Sequence, residues 1–153
     1  MTKKQDENKL RKRLVNALKN KLTKDPEQIV QDVHGISEYG LDVIFLVKNF
    51  WGKLHCFGIQ IKAGKLTCRS APTKGVKEII GQLAIASGRE FKCQSDNKYE
   101  FSGFYVVVEG SISETARNYI CSAFNQGKPI YFLHGEDLER FLTTYESKNL
   151  TKE

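Results

Sequence analysis

At 153 residues the chain is long enough to bury one well-packed core and too short for two ordinary domains. A formal charge of +6 points to an anionic partner or surface, although the first two dozen residues supply much of the excess. Four scattered cysteines without CxxC or CxxH spacing (Cys56, Cys68, Cys93, Cys121) argue against zinc and disulfides, and a start of MTKKQDENK with no long apolar run argues against a signal peptide or membrane span; a soluble cytoplasmic protein is expected.

Residues 3 to 24 are dense in Lys and Arg, with Leu10, Leu14, Val15, Leu18 and Leu22 at helical spacing. This predicts a basic amphipathic helix, either solvated and packed by its apolar stripe or in contact with phosphates. Asp25-Pro26-Glu27 reads as the opening of a second short helix ending near His34-Gly35. Two strands follow, Leu41–Val47 and Leu54–Ile61, joined by a turn over Asn49 to Lys53. Beyond Ala63-Gly64, Lys65–Arg69 reads as a third strand completing an antiparallel meander. Thr73 is the expected N-cap of a helix running to Gly88 with Val76, Ile79, Ile80, Leu83 and Ala84 inward. Residues 89 to 101 read as a loop, and Gly103–Val108 as a strand covered on both faces. Ser111-Ile112-Ser113-Glu114 has capping-box spacing ahead of a helix through Phe124. A last strand, Pro129–Leu133, and a last helix, Gly135–Tyr145, imply parallel pairing by a right-handed crossover. The reading is one α/β domain: a basic helical region (1–35) on a core (36–146), with a short tail (147–153).

The chemistry is expected in the hairpin. If its turn is centred on Trp51, Asp42 stands opposite Gln60 about 5 Å away, with Lys62 a diagonal neighbour at about 7–8 Å. Gln60 and Lys62 point to one face of their strand. An acid, an amide and an ammonium then share a patch between apolar flanks, where an unpaired charge is costly unless it meets a counter-charge or a cation. His34, His55 and His134 show no ligand spacing and read as surface or packing residues.

Gly40-Leu41-Asp42-Val43 followed by Gly58-Ile59-Gln60-Ile61-Lys62 resembles the motif of the PD-(D/E)XK phosphodiesterase superfamily, in the Gln-x-Lys form common among Mrr-like restriction endonucleases and related Holliday-junction resolvases. Gly110-Ser111-Ile112-Ser113 with Ala116, and Ile130 through Leu138, are similar to the family's late elements, so the resemblance covers residues 36 to 142. It implies a restriction-endonuclease-like αβββαβ core with a mixed sheet flanked by helices, and Mg²⁺-dependent hydrolysis of DNA phosphodiesters, Mn²⁺ being a substitute. Asp42 would be the anionic ligand, with the Gln60 amide oxygen and Ile61 carbonyl beside it. Lys62 would orient the attacking water and stabilise charge developing on the phosphate. Glutamine in place of the second acid removes a negative charge, and Glu38 is the candidate to restore it, Glu27 the second. Lys65, Arg69, Lys74 and Gln82 are the candidate nucleic-acid contacts. A homodimer on double-stranded or branched DNA is implied, and no membrane. Two other classes stay open: a nucleic-acid-binding module without useful catalysis, and an interaction subunit of a defence or repair assembly.

Overall fold

The sheet begins with three antiparallel strands, but they are not the three that the sequence suggests. The computed structural model describes residues 2–36, 39–68, 73–93, 96–124 and 127–150. Helix α1 (Lys3–Leu22) starts at Thr2, whose side chain and that of Gln5 satisfy each other's backbone N–H groups, and it buries Leu10, Leu14, Leu18 and Leu22. Asp25 does not open a helix. Its carboxylate accepts the Glu27 N–H and its carbonyl the Gln28 N–H, closing a turn into strand β1 (Ile29–Asp32). The adjacent β-branched Ile29 and Val30 favour the pleat, and β1 pairs antiparallel with β2 (Val43–Lys48).

β2 and β3 (Leu54–Lys62) form the expected hairpin. Val43 pairs with Ile59 and Lys48 with Leu54, a register symmetric about Trp51, with Gly52 at φ +82° in the turn. The ladder ends at Val43 and Ile59; Asp42 lies just beyond it with its N–H on the Ile59 carbonyl, so the expected pairing of Asp42 with Gln60 is not part of the register. The third meander strand expected at 65–69 is absent over its described residues. Leu66 and Cys68 are buried as their alternation required, yet Leu66 makes only an isolated parallel bridge to Ile112. The reason is competition for the free edge of β3, which is taken in parallel by β5 (Lys98–Val108).

Helix α2 (Lys74–Ser87) is capped by Thr73 and stops at Gly88, as expected. The segment expected to be a loop instead holds β4 (Glu90–Lys92), antiparallel to the first residues of β5. Helix α3 (Glu114–Ala123) is capped by Ser113 rather than Ser111, whose carbonyl is engaged by the Leu66 N–H. β6 (Ile130–His134) runs parallel to β5, and α4 (Gly135–Leu150) closes the described chain.

The result is a mixed α/β fold whose six-stranded sheet keeps the αβββαβ order, with β1 supplying the meander's first strand. Helices α1 and α4 cover one face, over Val43, Phe45, Ile59, Ile61 and Val107; α2 and α3 cover the other, over Ile44, Leu46, Phe104 and Val106. Arg13 clasps α1 to α4 through Glu139 (3.1 Å) and Glu146 (2.7 Å). No helix among the described residues is long and apolar enough to cross a membrane.

Candidate active site

Asp42 stands where the chain enters β2, and the backbone around it fixes its place. Its N–H donates to the Ile59 carbonyl (2.9 Å) and its carbonyl accepts from Val33 N–H (3.0 Å). The carboxylate reaches across to β3, where Oδ2 accepts the Ile61 N–H at 2.8 Å, and Oδ1 lies 2.8 Å from His34 Nδ1. Gln60 is 3% exposed, and its amide nitrogen donates to the Gly40 carbonyl, which fixes the amide's orientation. Gly40 has φ +63°, and a Cβ there would lie 3.3 Å from the Gln82 carbonyl oxygen. A side chain at Gly40 would be strained at this φ and would press on the α2 backbone, so glycine suits the close approach of this loop to the helix.

His34, Asp42, Gln60 and Gln82 line a cavity of about 260 Å³. Gln82 Oε1 is buried without a hydrogen-bond partner, alone among described side-chain polar atoms in that respect. An orphaned acceptor beside a carboxylate calls for a donor or a cation. The donors are hard oxygens, which suits Mg²⁺, an ion that retains several waters and takes one or two carboxylates. Among the described residues no group of three or more His, Cys, Asp or Glu is placed to hold a metal, and Asp42 is the one carboxylate among the residues that line the cavity. The donor set present therefore fits one hard divalent cation held by Asp42 with neutral oxygens around it.

Lys62 points toward α2. Its ammonium lies 2.7 Å from Glu78 Oε2 and its side chain is 13% exposed. This hydrogen bond holds the Glu78 carboxyl below its usual range, against the opposing pull of partial burial, with help from the charges of Lys62, Lys74 and Lys3. The pair borders a cleft of about 710 Å³ where the first turns of α1 and α2 converge. Lys3, Lys4, Lys62, Lys65 and Lys74 line it against two carboxylates, Glu7 and Glu78. Glu7 is committed to the Ala63 N–H at 3.1 Å. His34 lines both the cleft and the smaller cavity, so the two meet at its ring.

Asp42, Gln60, Ile61 and Gln82 are thus brought together, and Lys62, Lys65 and Lys74 share the adjoining cleft. Glu38 and Arg69 lie outside the described residues. Glu27 is not on a helix and does not reach the site: it bonds Lys48 at 2.8 Å, at the other end of β2. His34, expected at the surface or in packing, contacts Asp42. A helix ending near His34 conceals this contact, whereas a strand ending at Asp32 delivers His34 to the mouth of the hairpin. Glu78 has a signal in the sequence, standing one helical turn before Gln82 on the same face of α2. Lys3, Lys4 and Glu7 have none beyond charge, because helical spacing does not say which end of α1 meets the cleft.

Comparison of the sequence with protein-family models and with curated proteins gives no match. Among solved structures, the chain is similar to the MspJI restriction endonuclease in complex with a 27-mer oligonucleotide, at 14% identity and a TM-score of 0.38. The match covers 93% of this chain but 29% of that one, so the chain spans under a third of that protein's length. A likeness of this size carries no weight for activity, and the site stands on its own geometry.

Proposed function

We propose that this chain is a divalent-cation-dependent nuclease that hydrolyses phosphodiester bonds in DNA, of restriction or junction-resolving type. The observation that carries the reading is the junction of the cavity that holds Asp42, Gln60 and Gln82 with a five-lysine cleft at one end of the sheet, where Lys62 lies. Asp42, Gln60, Gln82 and the Ile61 carbonyl would hold Mg²⁺ or Mn²⁺, which would supply Lewis acidity, neutralising phosphate charge and acidifying water.

The protein's own groups do the rest. The Ile61 N–H and the His34 ring hold the Asp42 carboxylate in one orientation, pre-arranged before a substrate arrives. Lys62 leaves Glu78 for a phosphate oxygen or the attacking water, offering its proton donors where negative charge develops. Lys65 and Lys74, with Arg69 as a further candidate, neutralise flanking phosphates.

One observation favours a second reading, a nucleic-acid-binding module without cleavage: both Asp42 oxygens already accept bonds from the protein. Titrating Mg²⁺ and Mn²⁺ against supercoiled, linear and branched DNA separates the two. Cation-dependent nicking that disappears in Asp42→Ala and Lys62→Ala is expected. DNA binding without cleavage at every cation concentration would sink the enzyme reading. Neither cleavage nor salt-sensitive binding would point to an interaction subunit.

A further inference from the structure

Two helices of this chain begin with lysine, at the end where a helix favours a carboxylate. Lys3 and Lys4 open α1, with Asp6 to offset them, and Lys74 opens α2, whose first turn holds no acid. A cation at that end opposes the helix dipole and lowers stability. Lys74 regains little from Glu78 four residues on, since the two lie 4.0 Å apart and lysine ahead of glutamate is the weaker order for such a pair. Helix stability therefore does not account for Lys74.

Three segments bring their charge to one carboxylate in the cleft. Glu78 Oε2 lies 2.7 Å from Lys62 Nζ at the end of β3, and Oε1 faces Lys74 Nζ at 4.0 Å. Lys3 reaches in from α1. A Cβ at Gly64 would lie 3.5 Å from Lys3 Cε, so the lysine stem runs over the Gly64 turn, whose carbonyl is held by the Gly110 N–H at 2.8 Å. The hydrogen bond from Lys62, then the charges of Lys62, Lys74 and Lys3, hold the Glu78 carboxyl below its usual range against partial burial. Three ammonium groups around a single carboxylate leave positive charge over, and Glu7, the other acid lining the cleft, is engaged with the Ala63 N–H at 3.1 Å.

We infer that Lys3, Lys62 and Lys74 form a subsite for a phosphate monoester, whose place the Glu78 carboxylate takes in the free chain. A monoester carries about −1.5 to −2 charge at pH 7 and three strong acceptor oxygens, one for each ammonium. A carboxylate, or the diester that links two nucleotides, has a single charge and two free oxygens, so neither satisfies all three lysines. Glu78 can yield its place because its side chain is 41% exposed and can turn to water. Lys62, 13% exposed, exchanges one anion for another and is never left buried and unpaired. Entry is therefore competitive. An anion that engages Lys62 alone replaces one bond by another and gains little, whereas a monoester gains Lys3 and Lys74 as well. The monoester is the end of a nucleic-acid strand or a free phosphate. In the first case the subsite rests on the cleft being the nucleic-acid face, as proposed above, and in neither case does it need a divalent cation.

Short single-stranded oligonucleotides with a 5′-phosphate, a 3′-phosphate or hydroxyl ends only, each with an internal fluorophore, are titrated with the full chain in chelator and followed by anisotropy. In parallel, Tm is measured as inorganic phosphate is added. A phosphate at one end is expected to tighten binding by about five- to tenfold, the combined effect of three partly exposed ion pairs. Lys3→Gln, at an exposed position, should reduce this preference to below about twofold and leave far-ultraviolet dichroism unchanged. Glu78→Gln, which removes the internal competitor, should widen it; should that variant unfold, Lys3→Gln decides alone. Equal binding of phosphorylated and hydroxyl strands, with no effect of phosphate on Tm, overturns the subsite and leaves salt-sensitive strand binding, and the nuclease reading, untouched. A phosphate-dependent rise in Tm that is lost in Lys3→Gln while no strand binds upholds the subsite for free phosphate and removes the nucleic-acid reading instead. A preference that survives Lys3→Gln, or that narrows in folded Glu78→Gln, also overturns the inference.

Discussion

Gln82→Met separates stability from function in the cavity beside Asp42, because the two should move in opposite directions. Methionine keeps the length and helix propensity of glutamine and removes the orphaned Oε1. A buried acceptor without a partner costs about 1–3 kcal/mol, and the lower end applies because the residue as a whole is half-buried. In chelator the variant should therefore be more stable by about 1 kcal/mol, which for a chain of this length raises Tm by about 2–4 °C. Magnesium reverses the order. A cation at a hundred times its Kd stabilises the form that binds it by about 2.7 kcal/mol. The wild type gains this and the variant, missing one ligand, gains less, so the melting curves cross as Mg²⁺ is added. Differential scanning calorimetry in chelator and across a Mg²⁺ series measures both effects without any cleavage assay. A lower Tm for the variant in chelator would mean that the oxygen has a partner in solution. Equal Mg²⁺ shifts for both proteins would remove Gln82 from the cation site.

Leu14→Ala, at a position of α1 that is 2% exposed, should lower the urea unfolding free energy by about 2–5 kcal/mol; a loss below about 1 kcal/mol would contradict the docking of α1 on the sheet. Replacing Lys65 and Lys74 by glutamine should weaken DNA binding and flatten the log–log salt dependence by about 0.9 for each phosphate no longer neutralised, and an unchanged slope would remove these residues from the interface. Glu78 bonded to Lys62 has a depressed pKa, so its stabilising contribution is present above the unfolded carboxylate value of about 4.3 and fades as pH falls through the lower folded value. The stability gap between wild type and Glu78→Gln should then be full near neutrality and close under acid conditions; a gap that does not vary with pH would mean the ion pair is not formed in solution.

Helix α2 and the hairpin register are legible in the sequence because their signals are local. Thr73 and Gly88 bracket a 3.6-residue stripe, and a turn centred on Trp51 fixes every pair back to Val43 and Ile59. β1 is not legible, since Asp25-Pro26 serves a turn as well as a helix start and four residues carry little periodicity. Whether Ile29 and Val30 are strand depends on the free edge of β2, which no local window contains. The departure at Lys65–Arg69 is of the same kind: the alternation of Leu66 and Cys68 does mark burial, but the edge of β3 is already taken by β5, far later in the chain. β4 escapes local reading because it is an edge strand with one buried residue, Phe91, between Glu90 and Lys92, the charged pattern that keeps such edges from pairing with other chains. At the site, the three motif side chains can be assigned to one hairpin from the sequence, but the arithmetic does not foresee that the regular pairing stops at Val43 and that the Asp42 N–H bonds Ile59. Their neighbours His34, Glu78 and the α1 lysines come from three other segments, and only the packed fold brings these together.

The Arg13 clasp has a consequence for how the chain is made. Its partner Glu146 lies 133 residues away, so the face built on Val43, Phe45 and Ile59 cannot be fully roofed until residue 146 has left the ribosome. Until then α1 has a sheet to rest on but no α4 to lean against, and that apolar face stays partly open to water. Contacts this remote in sequence delay the final step of folding and lengthen exposure to aggregation. Slow synthesis of residues 135 to 146 should therefore lower the soluble yield far more than an equal pause placed before the hairpin is complete.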